Sequence, residues 1–92
     1  MNEKEMNKIL EDSGALLKKK NQMYGNGNIE KNGIEGVTTR LVDKFERLKV
    51  LLSIKQKPQE DTIEDTWQDI IGYGVTGLML QRGKWLADGE KS

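Results

Sequence analysis

Ile34-Glu35-Gly36-Val37-Thr38-Thr39-Arg40-Leu41-Val42-Asp43-Lys44-Phe45-Glu46-Arg47-Leu48-Lys49-Val50-Leu51-Leu52-Ser53-Ile54 is the stretch that decides the fold class. Ile34, Val37, Leu41, Phe45, Leu48 and Leu52 recur every three or four residues, so one side of a helix carries an apolar stripe, widened by Val42 and Leu51. The following Lys55-Gln56-Lys57-Pro58-Gln59 ends it, because the residue before proline is biased out of helical geometry.

On the N-terminal side, Met6, Ile9, Leu10, Leu16, Leu17 and Met23 stand near helical spacing and predict a first helix over 3–23. Gly14 weakens its middle by about 1 kcal/mol relative to alanine. Lys18, Lys19 and Lys20 suit the negative pole of its dipole. Tyr24-Gly25-Asn26-Gly27-Asn28, with Gly33 and Gly36 beyond, predicts a loop between the two helices. That segment lacks the GxxxxGK[ST] pattern and no predicted strand precedes it, so a connecting loop is the reading preferred over a phosphate cradle.

On the C-terminal side, Ile63, Trp67, Ile70, Ile71, Val75, Leu78 and Met79 supply the apolar face of a third helix over 60–82. Glu60, Asp61 and Glu64 crowd its first turn, where the dipole favours negative charge. Gly72, Gly74 and Gly77 cost helix propensity, and close approach of another helix is the simplest return. Arg82-Gly83-Lys84-Trp85 reads as a helix stop, with a loose tail over 86–92. The expected architecture is one all-α domain over 1–92, three main helices in a small bundle, completed by homo-oligomerisation.

Composition narrows the chemistry. There are 15 basic and 15 acidic residues, no cysteine and no histidine, which excludes disulfides, thiolate zinc sites and imidazole catalysis. A metal would need oxygen ligands, favouring Mg²⁺, Mn²⁺ or Ca²⁺. The charges are unevenly spread: residues 1–57 carry 12 Lys/Arg against 8 Asp/Glu, residues 58–92 only 3 against 7, so a basic part is expected to meet an acidic part. The charged start is no signal peptide, and no apolar run reaches the ~20 residues of a membrane span, so a cytoplasmic protein with no membrane partner is expected.

Asp43, Glu46, Asp61, Glu64, Asp65 and Asp69 are the constellation that invites chemistry. Asp43 and Glu46 share a face of the second helix, and Asp61, Asp65 and Asp69 repeat every four residues down the third. Three explanations stand: a hard divalent cation, a salt-bridge face paired with Arg40, Lys44, Arg47 and Lys49, or a solvated helix start. At 100° per residue Asp43 lies about 160° from both Leu41 and Phe45, away from the stripe, while Glu46 and Glu64 sit nearer the apolar flank as candidates for partial burial. Trp67 is expected in the core. Trp85 is a candidate anchor for a dimer or partner, and Tyr24 a surface on which a base could stack.

Three ordered phrases carry a resemblance: Lys20-Asn21-x-x-Tyr24-Gly25, then Gly36-x-x-x-Arg40-x-x-Asp43-Lys44-x-x-Arg47-Leu48, then Glu60-Asp61-Thr62-x-x-Asp65-Thr66-x-x-Asp69-Ile70-x-x-Tyr73. Over residues 15–80 the chain resembles the small phage and prokaryotic family called nucleotide modification associated domain 1. The resemblance implies a role in phage nucleotide metabolism or modification. The acidic helices are also similar in style to all-α nucleoside triphosphate pyrophosphohydrolases of the MazG and dUTPase type, which bind Mg²⁺ through an ExxE and an ExxD helix. Asp43-x-x-Glu46 and Asp65-x-x-x-Asp69 would be the counterparts, departing in one residue type and one spacing.

The resemblance thus implies a phage-type nucleotide-binding protein in the host cytoplasm, while the short chain and glycine-rich third helix point to a homodimer or higher oligomer. Lys20, Arg40 and Arg47 would offset phosphate charge, and Asn21 and Tyr24 would meet base or sugar. If it is an enzyme, Asp43, Glu46, Asp65 and Asp69 would hold Mg²⁺ for phosphoanhydride hydrolysis. The alternative is a non-enzymatic accessory or anti-defence protein that binds a host protein or sequesters a signalling nucleotide. A third is a dimerisation module without ligand.

Overall fold

Three helices account for the chain in the computed structural model, which describes residues 1–54 and 60–90. α1 spans Glu3–Tyr24, α2 Gly27–Ser53 and α3 Glu60–Gln81, with no strand among the described residues. No helix there is long and apolar enough to cross a membrane. Residues 55–59, 91 and 92 and the side chains of Glu60 and Asp61 lie outside that description, including the expected proline stop and part of the acidic first turn of α3.

The helix boundaries follow local chemistry. Asn2 caps α1, its side-chain oxygen accepting from the Glu5 amide at 3.0 Å. Gly25, at φ 73°, ends it. The expected loop over 25–36 shrinks to Gly25 and Asn26, because α2 already begins at Gly27. Its first turns are separated from the long apolar-striped part by a break at Gly33, whose φ of 60° is accessible to glycine at little cost. The glycines expected to make a loop therefore make one tight turn and one kink. α3 closes with a Schellman motif: Lys84 N–H donates to Met79 C=O at 2.8 Å and Gly83 N–H to Leu80 C=O at 3.0 Å, with Gly83 at φ 66°.

α2 and α3 form the main layer. Val37 and Leu48 are its buried apolar residues, and Thr66 and Thr76 are buried beside them. Each threonine hydroxyl donates to the carbonyl four residues back, Thr62 at 2.7 Å and Gly72 at 2.9 Å, so neither is left unsatisfied. α1 lies against the far flank of α3, pinned by Gln68 Nε2 donating to the buried Ser13 hydroxyl at 2.6 Å.

Much apolar surface stays uncovered. Ile34, Phe45 and Leu52 of the decisive stripe are exposed, and so is Trp67, which was expected in the core. The radius of gyration is 14.8 Å, against roughly 12 Å expected for a compact chain of this length.

Candidate functional site

A cleft of about 560 Å³ opens where α1, α2, α3 and the C-terminal segment meet. The last turns of α1 contribute Leu17, Lys20, Asn21 and Tyr24, and α2 contributes Asn28, Ile29, Arg40 and Lys44. Asp69, Gly72, Tyr73 and Thr76 come from α3, and Trp85 from the segment beyond it. Volume and lining suit a small organic ligand with polar anchors.

Charge is concentrated at one point. Lys20 Nζ lies 3.0 Å from Asp69 Oδ1, and Lys44 Nζ lies 3.0 Å from Asp69 Oδ2. Two ammonium groups, from α1 and α2, thus converge on one carboxylate of α3. Partial burial works to raise the Asp69 pKa. The hydrogen bonds from Lys44 and Lys20, and the attraction of both charges, outweigh it and hold the carboxyl below the usual aspartate range. Arg40 adds a third cation, its Nη2 2.8 Å from the Asn28 side-chain amide, which accepts from it once the amide is turned to present its oxygen. Against three cations stands one paired carboxylate, so the cleft favours an anion.

Asn26 joins three elements at the cleft's end. Its side-chain oxygen accepts from Asn21 Nδ2 at 2.7 Å, and its Nδ2 donates to Glu90 Oε1 at 2.8 Å. Its carbonyl accepts from Trp85 Nε1 at 3.2 Å. Residues 86–90, expected to be loose, turn back on themselves through Ala87 N–H donating to Glu90 Oε1 at 3.3 Å. Trp85 is half-buried and forms a wall of the cleft, with Tyr73 and the exposed Tyr24 as the other rings.

Of the expected nucleotide-binding residues, Lys20, Asn21, Tyr24 and Arg40 line this one cleft. Asn21 is engaged in bracing the turn, and Arg47 sits beside the cleft in a shallow depression with Arg40, Asp43, Lys44 and Tyr73. The four expected metal ligands are not brought together: among the described residues, no three acidic side chains gather closely enough to hold an ion. Asp69 is taken by two lysines, Glu46 faces solvent and pairs with Lys49 at 3.4 Å, and Asp65 is exposed. Glu46 and Glu64, expected to be half-buried, are both exposed. The basic part does meet the acidic part, through Lys20 and Lys44 on Asp69 rather than through the arginines.

Three charged or aromatic side chains lining the cleft were not among the expected nucleotide-binding residues: Lys44, Tyr73 and Trp85. Lys44 had a signal, since it lies one helical turn from Arg40 on the same face. Trp85 had none, because its place depends on the chain folding back to Asn26.

Gly72 also lines the cleft, and a Cβ there would meet nothing within 4 Å. Of the three glycines of α3, only Gly77 faces α2, where a Cβ would lie an ordinary 3.8 Å from Val37 Cγ1.

Comparison with known proteins adds no relative: no family model, no curated protein and no solved structure matches the chain.

Proposed function

We propose that the cleft binds a phosphorylated nucleoside, with its phosphate at Lys20, Lys44 and Arg40 and its base against the aromatic rings. The observation that carries this reading is the convergence of Lys20 and Lys44 from two helices inside a cleft walled by Tyr24, Tyr73 and Trp85. Ammonium and guanidinium groups form strong charge-assisted hydrogen bonds to phosphate oxygens. An aromatic wall accepts a planar base by offset stacking. The resemblance of the ordered phrases to a nucleotide-modification family points the same way. The reading places the protein in the cytoplasm, where such ligands are dissolved.

Binding without turnover is the form of this reading that the side chains favour. Asp69, the carboxylate in the cleft, is held ionised between two ammonium groups and so is poorly placed to take a proton or a metal. A protein of this kind would sequester its nucleotide, which agrees with the accessory or anti-defence role. Hydrolysis with Mg²⁺ is the competing form and would require Asp69 to leave its lysines.

The test is thermal stability against nucleosides, nucleoside mono- and triphosphates and inorganic phosphate, each with and without Mg²⁺. Ligand at a hundredfold excess over its Kd adds about 2.7 kcal/mol to the native state. The expected result is a rise in Tm with phosphorylated nucleosides that nucleosides alone do not give, and no phosphate release over time. Mg²⁺-dependent release would establish the hydrolytic form. The absence of any shift would leave a protein partner as the ligand.

A further inference from the structure

We propose that the bare face of the α2–α3 layer, on the side away from the cleft, is where a second copy of this chain docks. Helical geometry places the face. Val37 and Leu48 mark the line on α2 that meets α3. At 100° per residue, Ile34, Phe45 and Leu52 lie about 50–70° to one side of that line, and Arg40 and Arg47 about 70–90° to the other. On α3, Thr66 and Gly77 mark the line, with Trp67, Gly74 and Leu78 to one side and Asp69 and Thr76 to the other. The two helices run in opposite directions, so the two apolar sides fall together, and the cleft opens on the reverse.

This face is uncovered and large. Ile34, Phe45, Leu52, Trp67 and Leu78 are each 45–61% exposed. With their half-exposed apolar neighbours they offer on the order of 600 Å², close to the ~800 Å² that each partner contributes to a standard interface. The chain's own core is correspondingly small: among the described residues no side chain is fully buried. A single copy leaves much of its apolar stripe in water.

The occupant follows from charge and shape. Lys49 is the one charged side chain among the described residues in that sector, and its ammonium group stands 5.9 Å from the Phe45 ring centre at the edge of the face. A face without a sign of its own asks for no oppositely charged partner, and a two-fold axis lays it on itself with the lysines at the rim. Gly74 supplies a second observation. It is exposed mid-helix at a propensity cost, and a Cβ there would meet nothing within 4 Å of its own chain. A second α3 crossing at Gly74 gives that glycine its close approach.

Sedimentation of the full chain reads the mass directly, and the absence of cysteine lets one engineered thiol report the geometry. The expected mass is twice the 10.5 kDa of one chain, shifted toward one chain by Trp67→Glu and by Leu78→Glu. Gly74→Cys should oxidise to a covalent dimer and Thr39→Cys, on the outer side of α2, should not. If the glutamate variants unfold, a wild-type Tm that rises with protein concentration, together with the Gly74→Cys crosslink, sustains the proposal. A wild-type monomer at high micromolar concentration overturns it. So does a dimer that both glutamate variants leave intact and Gly74→Cys leaves uncrosslinked.

Discussion

Lys44 Nζ on α2 lies 3.0 Å from Oδ2 of Asp69 on α3, and the other oxygen of the same carboxylate is taken by Lys20 of α1 at the same distance. One side chain thus ties all three helices together at the wall of the cleft. The arrangement links fold to ligand, because the two cations it orients are the ones a phosphate would meet.

Removing either lysine should weaken that encounter. Lys20→Ala and Lys44→Ala are each expected to lower affinity for a nucleoside monophosphate about tenfold or more, the worth of a ~1.5 kcal/mol hydrogen bond to a charged group. Calorimetric titration reads this, and Lys18→Ala, one of the exposed neighbours, serves as the control. Equal losses at Lys18 and Lys20 would indicate a general charge effect rather than the cleft.

The Asp69 carboxyl gives a pH dependence. Its pKa in the folded chain is lowered, so the stability it contributes is complete above the unfolded aspartate value of about 4 and is lost as pH falls through the folded value. Urea unfolding of wild type and Asp69→Asn should therefore differ clearly at pH 7, with the difference shrinking as pH falls through the folded value. A difference that stays constant over this range would assign the effect to something other than the ion pairs.

Gly72 separates binding from stability. A Cβ at this position meets nothing within 4 Å, so Gly72→Ala should stabilise the helix by ~0.5–1 kcal/mol. Gly72→Leu should keep helical circular dichroism while filling the cleft and abolishing the nucleotide-dependent rise in Tm. Undiminished binding by Gly72→Leu would place the ligand elsewhere.

Trp85 offers an optical readout. In a Trp67→Phe background its emission is the sole tryptophan signal, and a base lodged in the cleft should quench it or shift it. Trp85→Phe loses the hydrogen bond to the Asn26 carbonyl and should cost about 1 kcal/mol in chemical denaturation.

Gly14 and Gly36 make an opposed pair. Gly14→Ala places a methyl in open space on an exposed helix and should stabilise by about 0.5–1 kcal/mol. A Cβ at Gly36 would stand 2.5 Å from Asn32 Cβ, because the kink at Gly33 crowds the turn, so Gly36→Ala should destabilise. Denaturant midpoints of the two variants should move in opposite directions.

The sequence by itself determined the three helices and most of the cleft's cations. Apolar spacing from Ile34 to Leu52 and from Ile63 to Met79 fixes α2 and α3 within a residue or two wherever no glycine intervenes, since backbone hydrogen bonding is local and its period is fixed. Lys20, Asn21, Tyr24 and Arg40 were legible as a group because they fall in ordered phrases along those helices. Tertiary structure alone decided which partner each charge found. Asp43, Glu46, Asp65 and Asp69 share helix faces in sequence, yet only Asp69 points where Lys20 and Lys44 can both reach it. It also decided that Gly27 starts a helix, that Trp85 returns to Asn26, and that half the apolar stripe stays bare. Helix periodicity states which side chains share a face. It is silent on how far a neighbouring helix extends across that face, because that depends on crossing angle and on contacts between residues up to 64 positions apart.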